Sequence, residues 1–123
     1  MRSLIALLVV PTSLFAQSVA PLDFPADAAR VSADALRERL SGKVFSVKLA
    51  DGNGWRLEYK ANGYAFVDTS TGFRDTGTWR TEDSRLCSEF HKSPAGCSEV
   101  RLAGDLLLVK RVSTGEVVAF QPR

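Results

Sequence analysis

The chain has one histidine, one methionine and two cysteines in 123 residues. Two cysteines and one histidine fall short of the four ligands of a structural zinc site, so no metal is expected. No Cys-x-x-Cys pair is present, which excludes a thioredoxin-like redox centre. Neither charge sign dominates: 16 basic residues face 14 acidic ones, for a net +2. The basic footprint of a nucleic-acid-binding protein is therefore missing. The nine glycines have no period, so a collagen-like repeat is out. The longest apolar run, Leu4 to Val10, is far below the roughly 20 residues of a membrane span. What remains, 45% hydrophobic and 24% charged, is ordinary usage for a single globular domain.

That short run has its own meaning. Arg2 precedes it, Pro11 to Ser13 interrupt it, and Leu14-Phe15-Ala16 places a small residue before Gln17. This is the pattern of a secretory signal peptide cleaved after Ala16, with Ser18-Val19-Ala20 as a second cleavage pattern. Residues 1–16 read as the signal peptide, 17–31 as a flexible lead-in broken by Pro21 and Pro25, and 32–123 as one β domain. The expected location is periplasmic or secreted. In such an oxidising compartment Cys87 and Cys97 are expected to form a disulfide.

Ser32 reads as the N-cap of a short helix carrying Ala33, Leu36 and Leu40 on one face, with Gly42 beyond its end. From Lys43 the apolar period becomes two, as in Phe45-Val47-Leu49 and Trp55-Leu57-Tyr59. Turn signals such as Asn62-Gly63, Thr71-Gly72 and Gly104-Asp105 recur at short spacing. The fold class is all-β: about eight antiparallel strands in a meander barrel or curved sheet, with one short N-terminal helix and one disulfide.

Charges and rings suggest registers. With Cys87 opposite Cys97, Arg85 faces Glu99 and Asp83 faces Arg101, both opposite in sign. The cysteines then lie outside, and Leu86, Phe90, Val100 and Leu102 inside. A two-residue turn at Thr71-Gly72 would set Tyr64 opposite Trp79 and Phe66 opposite Gly77. The runs Leu106–Val109 and Val117–Phe120 are apolar on both faces. Leu36 and Leu40 are expected to cover the outer set, Leu106, Leu108, Val118 and Phe120, unless the last strand slips by one residue. A weak homodimer is the alternative to a covered monomer.

Leu40-Ser41-Gly42-Lys43, Asn62-Gly63-Tyr64-Ala65-Phe66, Gly77-Thr78-Trp79, Leu86-Cys87, Cys97 and Gly115-Glu116-Val117 together carry a likeness. The chain resembles a group of small secreted bacterial β domains of unknown function, over about residues 33–120. Its architecture is also similar to that of lipocalin-like calycins. That likeness implies an eight-stranded barrel with an interior for a small apolar molecule.

No catalytic residues and no cofactor are expected. His91, beside Glu89, Lys92 and Ser93, lies on a tight hairpin tip where side chains rarely converge into a triad. Asp51-Gly52-Asn53-Gly54 precedes no helix and so makes no phosphate loop. Trp55, Tyr59, Tyr64, Phe66 and Trp79 fall on the inferred inner face. They either fill the core or line a pocket for a small apolar ligand. The functional expectation is an exported, non-enzymatic binding or envelope-associated protein. Its partner would be a small apolar ligand or an envelope protein. The alternative is an inhibitor-like module presenting the 88–96 hairpin loop through His91, Lys92 and Ser93.

Overall fold

The computed structural model describes residues 21–123. The expected signal peptide and both cleavage sites lie outside the described residues. The helix α1 (Ala33–Leu40) precedes eight strands: β1 (Lys43–Lys48), β2 (Gly54–Tyr59), β3 (Tyr64–Thr69), β4 (Arg74–Glu82), β5 (Arg85–Phe90), β6 (Gly96–Ala103), β7 (Leu106–Lys110) and β8 (Val117–Pro122). They form a closed antiparallel barrel in which each strand pairs with its sequence neighbour and β1 meets β8. Short turns leave no room for parallel crossovers, and closure removes the free sheet edges.

Eight residues do not make a stable helix alone, so α1 depends on its surroundings. The Ser32 hydroxyl accepts from Ala35 N at 3.2 Å, and Asp83 accepts from Ala33 N at 2.9 Å. Thr81 donates to the Ala33 carbonyl at 2.8 Å, and Arg39 reaches Asp105 at 4.0 Å. The helix therefore stretches from the β4–β5 turn towards the β6–β7 turn. Leu36 and Leu40 are fully buried in the barrel core. Gly42, at φ +75°, ends the helix and donates its N–H to Tyr59 O at 2.7 Å. The expectation that Leu36 and Leu40 cover the outside of β7 and β8 is thus overturned: α1 packs on β4 and β1 and closes one end of the barrel.

The outer side of β7 and β8 is covered differently. Leu107 pairs with Phe120 and Val109 with Val118, so Phe120 and Val118 point inward with Leu107 and Val109. The outward set is Leu106, Leu108, Val117 and Ala119. Leu108 and Val117 are nevertheless buried. The chain's own residues 21–31 lie across this region. Pro21 O accepts from Val117 N at 2.8 Å, Asp23 meets Lys110 at 3.8 Å, and Ala29 pairs with Leu102. Val31 then exchanges bonds with Ser84, a buried residue at φ 53°: Ser84 Oγ accepts from Val31 N at 2.8 Å and Ser84 N donates to Val31 O at 2.7 Å.

Two further registers are informative. Arg85 faces Glu99 and Cys87 faces Cys97, as the charge pattern indicates, and the disulfide is formed. The expected Asp83–Arg101 pair is absent. Ser84 turns the chain there, Asp83 caps α1, and the Arg101 guanidinium lies over Phe24 at 5.1 Å. The β3–β4 register is one residue off the expected one: Tyr64 faces Thr78, Ala65 faces Gly77 and Phe66 faces Thr76. The turn holds three residues instead of two. Thr69 N donates to Phe73 O at 2.9 Å and Gly72 sits at φ +89°. This is a hairpin loop closed by a glycine bulge, and the extra residue moves every β3 side chain to the opposite face.

Four rings meet inside the barrel. Tyr59 stands edge-on to Trp79 at 5.4 Å, Phe45 lies 5.4 Å from Phe120, and Tyr59 stacks on Phe120 at 6.2 Å. The disulfide joins positions separated by 10 in sequence. Closing a loop of that size contributes about 2–3 kcal/mol in the chain-entropy model. Thiol titration of the unreduced protein should therefore find no free cysteine. Reduction should lower the urea midpoint, and two free thiols before reduction would overturn the assignment.

Candidate functional site

The five aromatic candidates split into three groups. Tyr59 and Trp79 are core residues. The Trp79 indole donates to Lys60 O at 2.9 Å. Burial pushes the Tyr59 phenol well above the ordinary tyrosine value, so it stays neutral. Trp55 is partly buried where β2 begins, at the barrel end away from α1. The Arg111 guanidinium lies over it at 4.7 Å. Glu116, itself buried, accepts from Arg111 at 2.6 Å and from Ala50 N at 2.9 Å. That cluster binds the β1–β2 loop to the β7–β8 loop across this end. Tyr64 and Phe66 are on the outer wall, a correction to the inner-face expectation that follows from the Gly72 bulge. Tyr64 is 55% exposed.

The registers order the outer wall into rows. Arg56, Asp68 and Arg74 form the first, across β2, β3 and β4. Arg74 bonds Asp68 at 2.9 Å, while Arg56 lies 3.9 Å from Asp68 and 3.7 Å from Glu58. Glu58, Phe66 and Thr76 form the second, with the Lys60 ammonium 5.7 Å from the Phe66 ring. Tyr64, Thr78 and Glu89 form the third, reaching β5. β4 can lie this close to β5 only because position 77 is glycine. A Cβ there would overlap Glu89 O and come within 2.7 Å of Phe90 Cα.

Two open clefts flank these rows. One, of about 500 Å³, is bounded by Phe66, Asp68, Arg74, Thr76, His91 and Lys92. The other, of about 360 Å³, is bounded by Thr78, Arg80, Glu89, Ala95 and Cys97. Residues 91–95 are exposed, but the start of the loop is anchored. His91 N donates to Thr76 O at 3.2 Å, and Lys92 N donates to Asp75 at 2.7 Å. The Lys92 ammonium donates to Arg74 O at 2.9 Å and lies 5.5 Å from the Phe73 ring. Here Lys92 is folded back on its own barrel, while Ser93 stays at the exposed tip.

Burial of Asp75 pushes its carboxyl up. Backbone donors at Lys92, Thr76 and His91, with the Lys92 ammonium, outweigh that and hold it below the usual carboxylate range. A lowered carboxyl stabilises the fold above its unfolded-state value, and that contribution fades as pH falls through the lowered value. The amide signals of Thr76 and Lys92 should therefore move together only below about pH 4, the ordinary carboxylate range. Asp75→Asn should abolish the transition, and a transition that survives this change would refute Asp75 as the anchor of the loop.

Glu82, Cys87 and Cys97 lie within 4.8 Å of one another. The disulfide ties up both sulfurs, so no thiolate remains for a metal. The Arg80 hydrogen bond, offset in part by burial, holds the Glu82 carboxyl low. No protein-family model, curated protein or solved structure matches the chain. The eight-stranded closed meander is consistent with a calycin-like architecture.

Proposed function

We propose that the chain is an exported, non-enzymatic binding protein whose recognition surface is the outer wall at β3, β4 and the 91–95 loop. One contrast carries the reading. The interior is occupied by the Phe45–Tyr59–Trp79–Phe120 rings, with α1 at one end and the Trp55–Arg111–Glu116 cluster at the other. Outside, Tyr64 is exposed, and the half-buried Phe66 borders one of two clefts. An apolar ligand held inside, as in calycins, would have to displace core rings. An outer-wall ligand displaces only water. Export is supported by the leading segment's pattern and by the disulfide. No helix among the described residues is long and apolar enough to cross a membrane.

Nuclear magnetic resonance can separate the two surfaces. Fractionated cell-envelope extract should move the Tyr64, Phe66 and Thr78 amide signals and leave Tyr59 and Trp79 in place. Saturable binding of a fatty acid that moves Tyr59 and Trp79 instead would overturn the outer-wall reading.

A further inference from the structure

We infer that the outer wall takes an uncharged oligosaccharide chain, an inference that rests on the outer-wall reading above. Tyr64 and Phe66 alternate on one face of β3, which puts their attachment points roughly 7 Å apart. A pyranose has two recognisable parts, an apolar C–H face and a rim of hydroxyls. The first stacks on an exposed aromatic ring, and the second needs acceptors and hydroxyl partners around that ring. Here Thr76 and Thr78 are the outward neighbours of Phe66 and Tyr64 on β4, with Glu58 and Glu89 one strand further on either side. The wall therefore offers one exposed stacking ring, Tyr64, beside the half-buried Phe66, with hydrogen-bonding side chains around them.

Charge narrows the ligand. Arg56 and Arg74 are engaged with Asp68 and Glu58, and Lys60 is over Phe66. The cations are thus partnered within the wall, which gives an anionic polymer no unpaired row to follow. A peptide added as an extra strand needs a free sheet edge, and β2, β3 and β4, which make this wall, are each paired on both sides. Shape narrows it further. Phe66 and Thr76 border one cleft, and Thr78 and Glu89 border the other in the adjacent row. The site is therefore elongated across β4, which suits a chain of sugar units better than a single one. The Asp75-anchored loop bearing His91 forms a raised side to it.

The test uses the exported protein and two defined probes, the tetramer of N-acetylglucosamine and cellotetraose, followed by resonance shifts and calorimetry. At least one should bind and move the signals of Tyr64, Phe66 and Thr78. Tyr64→Ala should weaken that binding about tenfold, the scale of a lost aromatic contact near 1.4 kcal/mol. Tyr64→Phe should keep most of it. Because Tyr64 is exposed, near-ultraviolet circular dichroism should show the fold of Tyr64→Ala unchanged. Binding that is indifferent to Tyr64→Ala overturns the inference. So does the absence of binding by both probes. If envelope protein fractions still move Tyr64 and Phe66 in that second case, the outer wall remains the recognition surface and the sugar assignment alone falls. If nothing moves them, both fall.

Discussion

Trp79→Ala is expected to cost about 3–5 kcal/mol of folding stability, the range for removing a large aromatic from a packed core. Trp79 is 8% exposed and stands edge-on to Tyr59 at 5.4 Å. Its removal loses transfer energy and leaves a void that the barrel wall cannot close, because each strand is fixed by two neighbours. It also takes away the indole donor to Lys60 O at 2.9 Å, leaving that carbonyl with Gly63 N alone at 3.0 Å. The loss should appear in urea unfolding as a lower midpoint with an unchanged slope. Tyr64→Ala is the control. At 55% exposure it should stay within about 0.5 kcal/mol of the parent. The two changes together decide which face of the wall each ring occupies. Comparable losses for both would mean that the inside and outside assignments of β3 and β4 are wrong.

That pair also marks where the sequence is legible. Trp79 is legible because polar Thr78 and Arg80 flank it, so of the three it alone turns inward in a strand of period two. Tyr64 and Phe66 are not, because their face depends on how many residues close the β3–β4 turn. Thr71-Gly72 reads equally well as a two-residue turn or as the end of a three-residue loop with glycine in the bulge. Only tertiary packing of Ala65 and Val67 against the core chooses between them. The readable signal was Ala65 between two larger rings. A small residue fits opposite Gly77, where β4 and β5 come close. The disulfide register is legible from the cysteine pair itself, and Arg85 opposite Glu99 agrees with it. Asp83 escaped the same logic, since its partner is the N-terminus of α1 and not a strand. The two-sided apolar runs of β7 and β8 show that their outer surface needs cover. The covering segment, residues 21–31, has apolar residues but no regular period, since Pro21 and Pro25 interrupt it, and it is held mostly by backbone bonds that any sequence can make.

The helix gives the second large effect. Leu36→Ala is expected to destabilise the protein by about 2–5 kcal/mol. Leu36 is 0% exposed and belongs to the same core as Phe45 and Trp79. Because α1 has only eight residues, its helical state depends on this contact more than on its own hydrogen bonds. Loosening it should also release Asp83 and Thr81 from Ala33, so amide exchange should quicken at Ala33, Leu36 and the Asp83-Ser84 turn together. Strands β6 and β7 should keep their protection relative to the new global stability. A helix that instead covered the outside of β7 and β8 would behave differently. Its loosening would expose Leu106 and Leu108, and sedimentation of Leu36→Ala would show concentration-dependent association. With α1 as the end plug, the outer face of β7 and β8 stays under residues 21–31 in the variant, and the sedimentation coefficient should not change with concentration. Association of the variant would mean that the helix, and not the N-terminal segment, shields that face.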